Sequence, residues 1–153
     1  MSNAITQAFA MGIVSGMRSM TGPALVTHYL SRDRRPRLGR LNFMRSKLTA
    51  TAFKVAAAGE LIGDKLPNTP ARTQAGPLVG RALSGALCGA ALARGGRESA
   101  VTGSVFGAVG GIVGTYAFHA LRHTLTEAGL PDLVVALGED ALAVGGGRAL
   151  LGR

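Results

Sequence analysis

The chain has 153 residues, a length for one domain, and carries a net charge of +9 with only 16% charged residues, against about 25% in soluble domains. Its 23 glycines, absent tryptophan and single cysteine, Cys88, exclude an internal disulfide and favour closely packed helices over a conventional large-residue core. The positive charge sits in one short segment without interleaved aromatics, which argues against nucleic acid as a partner.

The first apolar segment runs from Ala4 to Tyr29, with Arg18 its only charge. It contains "GMRSMTGPA", and Pro23 there predicts a kink, because proline removes an intrahelical hydrogen bond. The basic stretch "SRDRRPRLGRLNFMRSK" follows, holding Arg32, Arg34, Arg35, Arg37, Arg40, Arg45 and Lys47. A short basic loop between apolar segments is the mark that keeps a loop on the cytoplasmic side of a membrane.

The second segment, Leu48 to Leu66, ends in "GELIGDKLPNTP" and places Glu60 deep inside, with Asp64 and Lys65 after it. Glu60 and Asp64 are four apart and share a helix face. The third segment, Leu78 to Ala93, carries Arg81 near its start and leads into the basic "RGGRE". The fourth, Ser99 to Leu121, is 23 residues without a charge, long enough to cross a hydrocarbon layer of about 30 Å as a helix. The fifth, Leu133 to Leu151, is interrupted by Glu139, Asp140 and Arg148.

These segments predict an all-α polytopic membrane protein of about five transmembrane helices, a single domain over 1–153. If all five span, every basic loop falls on one side, and the N-terminus lies outside with the C-terminus inside. Small-xxx-small steps (Gly12 and Gly16, Gly80 and Ser84, Gly85 and Gly89, Gly103, Gly107 and Gly111) predict close helix packing within the chain or across a homo-oligomer.

An internal repeat joins the first and fourth segments. "GIVSGMRSMTGPALVTHYL" (Gly12–Leu30) aligns without gaps on "GAVGGIVGTYAFHALRHTL" (Gly107–Leu125), and Gly59-Glu60 matches Gly138-Glu139. In the five-span topology the matched segments run in opposite directions. This predicts inverted repeats, about 4–70 and 98–153, joined by a connector helix at 76–94. Inverted repeats are a transporter architecture.

A charge near mid-bilayer costs at least about 2.5–3.5 kcal/mol and calls for a partner. Arg18 between Glu60 and Glu139 is the simplest pairing, with Asp64, Lys65 and Asp140 completing the site. Two to four carboxylates around one arginine leave a negative excess, which a closed core holds only with a proton or a cation. The expected function is a small secondary transporter or permease, cation- or proton-coupled, without a cofactor. The alternative is a non-transporting scaffold that uses its glycine-rich faces. No nucleophile–base pair can be named, so an enzyme is not expected. His28, His119 and His123 lack metal-ligand spacing.

"GMRSMTGPA", "GELIGDKLPNTPART", "AGPLVGRALSGALCGAAL" and "LPDLVVALGEDALAVGGG" together resemble a family of small bacterial integral membrane proteins, domain of unknown function 4126. The resemblance covers nearly the whole chain. It implies a multi-helix protein of the bacterial inner membrane and no established activity. "ELIGDK" also looks like the E-x-G-D-K/R signature of calcium/manganese–proton exchangers, with three residues rather than two between Glu60 and Asp64.

Overall fold

The computed structural model describes residues 3–32, 38–63 and 74–152, and within them the chain is helical with no strand. Six α-helices follow in order: α1 (Asn3–Met17), α2 (Thr21–Arg32), α3 (Lys47–Gly63), α4 (Ala75–Gly95), α5 (Ala100–Glu127) and α6 (Asp132–Leu151). A short 3-10 helix, Gly39–Arg45, precedes α3.

The first apolar segment is not one kinked helix. It breaks at Arg18–Met20 and folds back as a hairpin. Gly22 of α2 packs against Ser15 of α1, and Tyr29 and Leu30 line a small pocket with Ala4 and Gln7 near the start of α1. Pro23 lies in the first turn of α2, where its missing N–H would have no intrahelical acceptor in any case. It permits a helix start rather than bending a continuing helix.

The hairpin changes the direction of everything after it. Glu60 of α3 meets the hairpin turn and Lys54 meets His28, so α3 runs antiparallel to α2. Arg81 reaches Gly16 while Gly96 approaches Ala4, so α4 runs antiparallel to α1. In α6, Asp140 meets Arg18 and the Leu150 carbonyl accepts from Gln7. Successive helices thus alternate in direction, and Asn3 and Leu151 lie at the same end of the bundle. The expected placement of N- and C-termini on opposite sides is therefore incorrect. The turn within the first segment adds a helix and changes the parity.

The same parity overturns the inverted repeat. Gly12 of α1 packs on Gly107 and Gly110 of α5, and Gly16 on Gly111 and Gly114, so α1 and α5 run parallel. Inverted mates would run antiparallel. The segment expected as a connector, α4, is instead central: α1, α4 and α5 make the most extensive helix–helix contacts. A Cβ on Gly107 would run into the Gly85 carbonyl, and one on Gly89 into the Gly103 carbonyl. Only glycine lets the backbones approach this closely. Gly80 faces open space, so its step with Ser84 is not used.

In α5 the buried residues are Gly103, Gly107, Gly110, Gly111, Gly114 and Thr115, while Val101, Val105, Val109, Ile112 and Val113 face outward. Small residues inside and large apolar residues outside reverse the pattern of a water-soluble helix. Two helices, α4 with 21 residues and α5 with 28, are long and apolar enough to cross a membrane. Among the described residues that is fewer than the five expected, because α1 and α2 are short halves of one segment, α3 is described over only 17 residues, and α6 carries internal charges.

Candidate functional site

Breaking a helix inside a bundle frees backbone groups on both sides of the break, and each needs a partner. The C-terminal carbonyls of α1 carry the negative end of its dipole, and the first amides of α2 carry a positive end. Neighbouring helices supply charges of the matching sign to both.

On the α1 side, the Gly16 carbonyl accepts from Arg81 Nη1 at 3.0 Å, and the Thr115 hydroxyl lies 3.3 Å away. Both side chains are buried. On the α2 side, the consecutive amides of Ser19 and Met20 donate to Glu60 Oε1 and Oε2, each at 2.8 Å. A carboxylate held by two amides at a helix start is a charge-assisted contact, stronger than a neutral hydrogen bond. Between these two contacts sits Arg18, 1% exposed, with Nε 2.7 Å and Nη2 2.6 Å from Asp140 Oδ1.

Arg18 is therefore paired with Asp140, not held between Glu60 and Glu139. Glu139 and Asp140 are adjacent on α6, and neighbouring helical residues do not face the same way. Asp140 faces the hairpin turn. Glu139, 4% exposed, faces α5, where Arg122 Nη1 is 3.4 Å from its Oε2. Arg122 also forks onto Asp132 with Nε and Nη2 at 2.9 and 2.7 Å. Glu60 still reaches the same turn, through backbone amides rather than through the guanidinium. Asp64 and Lys65, the remaining expected site residues, lie outside the described residues.

Two arginines beyond the expected set join the cluster. Arg81 is as isolated in its apolar segment as Arg18 is in the first, and that signal was readable. Arg122 lies just past the uncharged run that ends at Leu121, but α5 continues to Glu127 and carries it on the helix. With both included, three arginines (Arg18, Arg81, Arg122) stand with three carboxylates (Glu60, Glu139, Asp140), and Asp132 lies at the exposed edge. Among these described residues the three arginines match the three inner carboxylates in number, and Asp64, which the expected negative excess also counted, lies outside the described residues.

The cluster lies well inside the bundle. Arg81 is 14 residues before Gly95, roughly 21 Å along α4 from the end where Asn3 lies. The α1–α2 turn stops short of the far end, beyond which α5 runs on from Thr115 to Glu127. Among the described residues, no group of three or more His, Cys, Asp or Glu stands close enough to hold a metal ion. Lys54 Nζ contacts His28 Nδ1 at 2.8 Å and His123 contacts Glu127 at 3.2 Å, both exposed.

No family model, curated protein or solved structure matches the chain.

Proposed function

We propose that this chain is a small permease of a bacterial cytoplasmic membrane, and that Glu60, clamped on the α1–α2 turn, is its ion-responsive element. The observation that carries the reading is the carboxylate of Glu60 held by the freed amides of Ser19 and Met20. Discontinuous helices whose amide ends face anionic groups inside the bilayer are a recurring way to build transporter sites. Backbone without helical hydrogen bonds is tolerated at such depth only within protein or beside a water-filled cavity. Protonation of Glu60 would replace an anionic acceptor with a neutral one and loosen α3 from the turn. Proton coupling rests on this single breakable contact.

The outward apolar faces of α5, and the length and composition of α4 and α5, support the membrane assignment. Arg32, Arg40, Arg45 and Lys47, then Arg94 and Arg97, then Arg148 all fall at the end where Asn3 lies. The positive-inside rule makes that end cytoplasmic, with both described ends of the chain inside. The α1–α2 hairpin then enters and leaves from the cytoplasmic face.

One observation favours the second reading, a non-transporting scaffold. Arg18 is sealed against Asp140 and is not displayed to a solute. Flux decides between them. In liposomes, the purified protein should move protons or cations down an imposed gradient, and Glu60→Gln should lower that flux at least tenfold with folding intact. Absence of flux under any proton or cation gradient, from protein that is folded and inserted, would leave the scaffold.

A further inference from the structure

Outside the charged turn, an open apolar groove of about 460 Å³ lies between α3, the 3-10 helix and the hairpin turn. Phe43 and Leu48 line its lower part, Ala52, Phe53 and Ala56 its wall, and Met20 its upper end. Thr49 is the one polar lining residue. The groove follows α3 over the eight helical steps from Leu48 to Ala56, roughly 12 Å, along the bundle axis. Its lower part adjoins the basic end of the bundle: Arg40 and Arg45 flank Phe43 in the chain, and Lys47 precedes Leu48. Arg40 and Lys47 are exposed.

We propose that this groove binds one anionic phospholipid of the inner leaflet. An acyl chain lies along α3, and the headgroup phosphate rests on Arg40, Arg45 and Lys47. The proposal rests on the membrane reading above. Two features select this occupant. The groove is lined by apolar side chains from Leu48 to Met20, with Thr49 the one exception, as a hydrocarbon chain requires. Its basic residues are confined to one end, as a headgroup at the interface requires. Basic clusters beside apolar surface at the cytoplasmic face recognise anionic headgroups through their charge. A zwitterionic phospholipid offers the same phosphate with an ammonium beside it and is drawn less strongly to three cations, and a second copy of this chain would bring its own +9 against the same patch.

Met20 is where the groove meets the site, because its amide holds Glu60 while it forms the groove's end. A chain seated there packs against the turn that Glu60 clamps.

The absence of tryptophan supplies the test. Full-length protein with Phe53→Trp, and separately Phe43→Trp, is reconstituted in phosphatidylcholine vesicles containing a minor fraction of phosphatidylglycerol with brominated chains. Val105→Trp, outward on α5 and away from the groove, is the control. The groove tryptophans should be quenched several-fold more than the control by brominated phosphatidylglycerol, and no more than the control by brominated phosphatidylcholine. Replacing Arg40, Arg45 and Lys47 together by glutamine should remove the excess. Equal quenching of groove and control by the anionic lipid would overturn the site. Groove tryptophans shielded from both lipids while the control is quenched would mean that protein, such as a second copy, fills the groove. A control that no brominated lipid quenches would instead defeat the membrane reading.

Discussion

Helix α5 and the α1–α2 hairpin begin alike and end differently. Each opens with glycines four apart that bury backbone against backbone, and α1 lies alongside α5 over these steps. Yet α5 continues as one helix of 28 residues, while the first segment breaks after Met17 and returns. At the aligned positions, α5 has Val113, Gly114 and Thr115 where the hairpin has Arg18, Ser19 and Met20. Thr115 folds its hydroxyl onto the Gly111 carbonyl four residues back, at 2.8 Å, so α5 continues unbroken, while the same hydroxyl lies 3.3 Å from the Gly16 carbonyl at the break. Arg18, Ser19 and Met20 instead look outward to Asp140 and Glu60. A helix break is thus held open by neighbours that satisfy both of its ends. The proline near it contributes only a helix start.

The largest test of that contrast removes a partner. Arg18→Ala leaves Asp140 without its buried cation, and losing one member of a buried pair typically costs about 3–5 kcal/mol. Thermal unfolding in detergent should fall sharply, and Asp140→Asn on the same background should restore part of the loss. Glu139→Gln should not, because Glu139 faces Arg122. At the matched place in α5, Val113→Ala, on an outward face, should stay within about 0.5 kcal/mol of wild type. An unchanged midpoint for Arg18→Ala would mean that the break does not need its charges.

What could be read in advance follows from the same physics. Helix positions after the basic stretch were legible to within a few residues up to the end of α5, because uncharged or nearly uncharged runs are visible by eye. The gathering of charge around Arg18 was also legible, since an isolated arginine in an apolar run demands a carboxylate. Its partner was not. Choosing Asp140 over Glu139 requires the rotation of α6, which two adjacent acids leave open. The hairpin was hidden because "SMTGP" is compatible with a kink and with a turn. Only the availability of Glu60 and Arg81 to satisfy the freed backbone decides between them. That one local ambiguity reversed the relation between α1 and α5 and so removed the inverted repeat.

A smaller effect tests the part the two regions share. Gly107 sits where α1, α4 and α5 meet, and a methyl group there would strike the Gly85 carbonyl. Gly107→Ala forces backbones apart and should cost about 1–3 kcal/mol, as overpacking does. Gly138→Ala is the internal control, since nothing lies within 4 Å of a Cβ at that position. It should be neutral, or stabilising by up to about 1 kcal/mol from helix propensity. Equal losses at the two positions would mean that the glycine seam is not what holds α5 to its neighbours.

The smallest expected effect asks whether Pro23 makes the hairpin. Pro23 is fully buried in the first turn of α2, so Pro23→Ala removes some packing and frees the unfolded chain slightly. A loss of about 1 kcal/mol is expected, with the turn unchanged, because Glu60 still holds the amides of Ser19 and Met20. Spin labels at Asn3 and Arg32, both exposed, report the geometry on a Cys88→Ala background. A continuous helix over these 29 intervals would separate them by about 44 Å. The hairpin brings the two ends together, and the measured distance should stay below half that value with and without the proline. If Pro23→Ala lengthens it toward the straight-helix figure, the proline and not the partner charges sets the break. The first segment and α5 would then differ by a single residue. If the distance stays short in Pro23→Ala and lengthens only when Glu60→Gln is added, the clamp on the turn is the cause, and the contrast with α5 lies in the neighbours rather than in the helix itself.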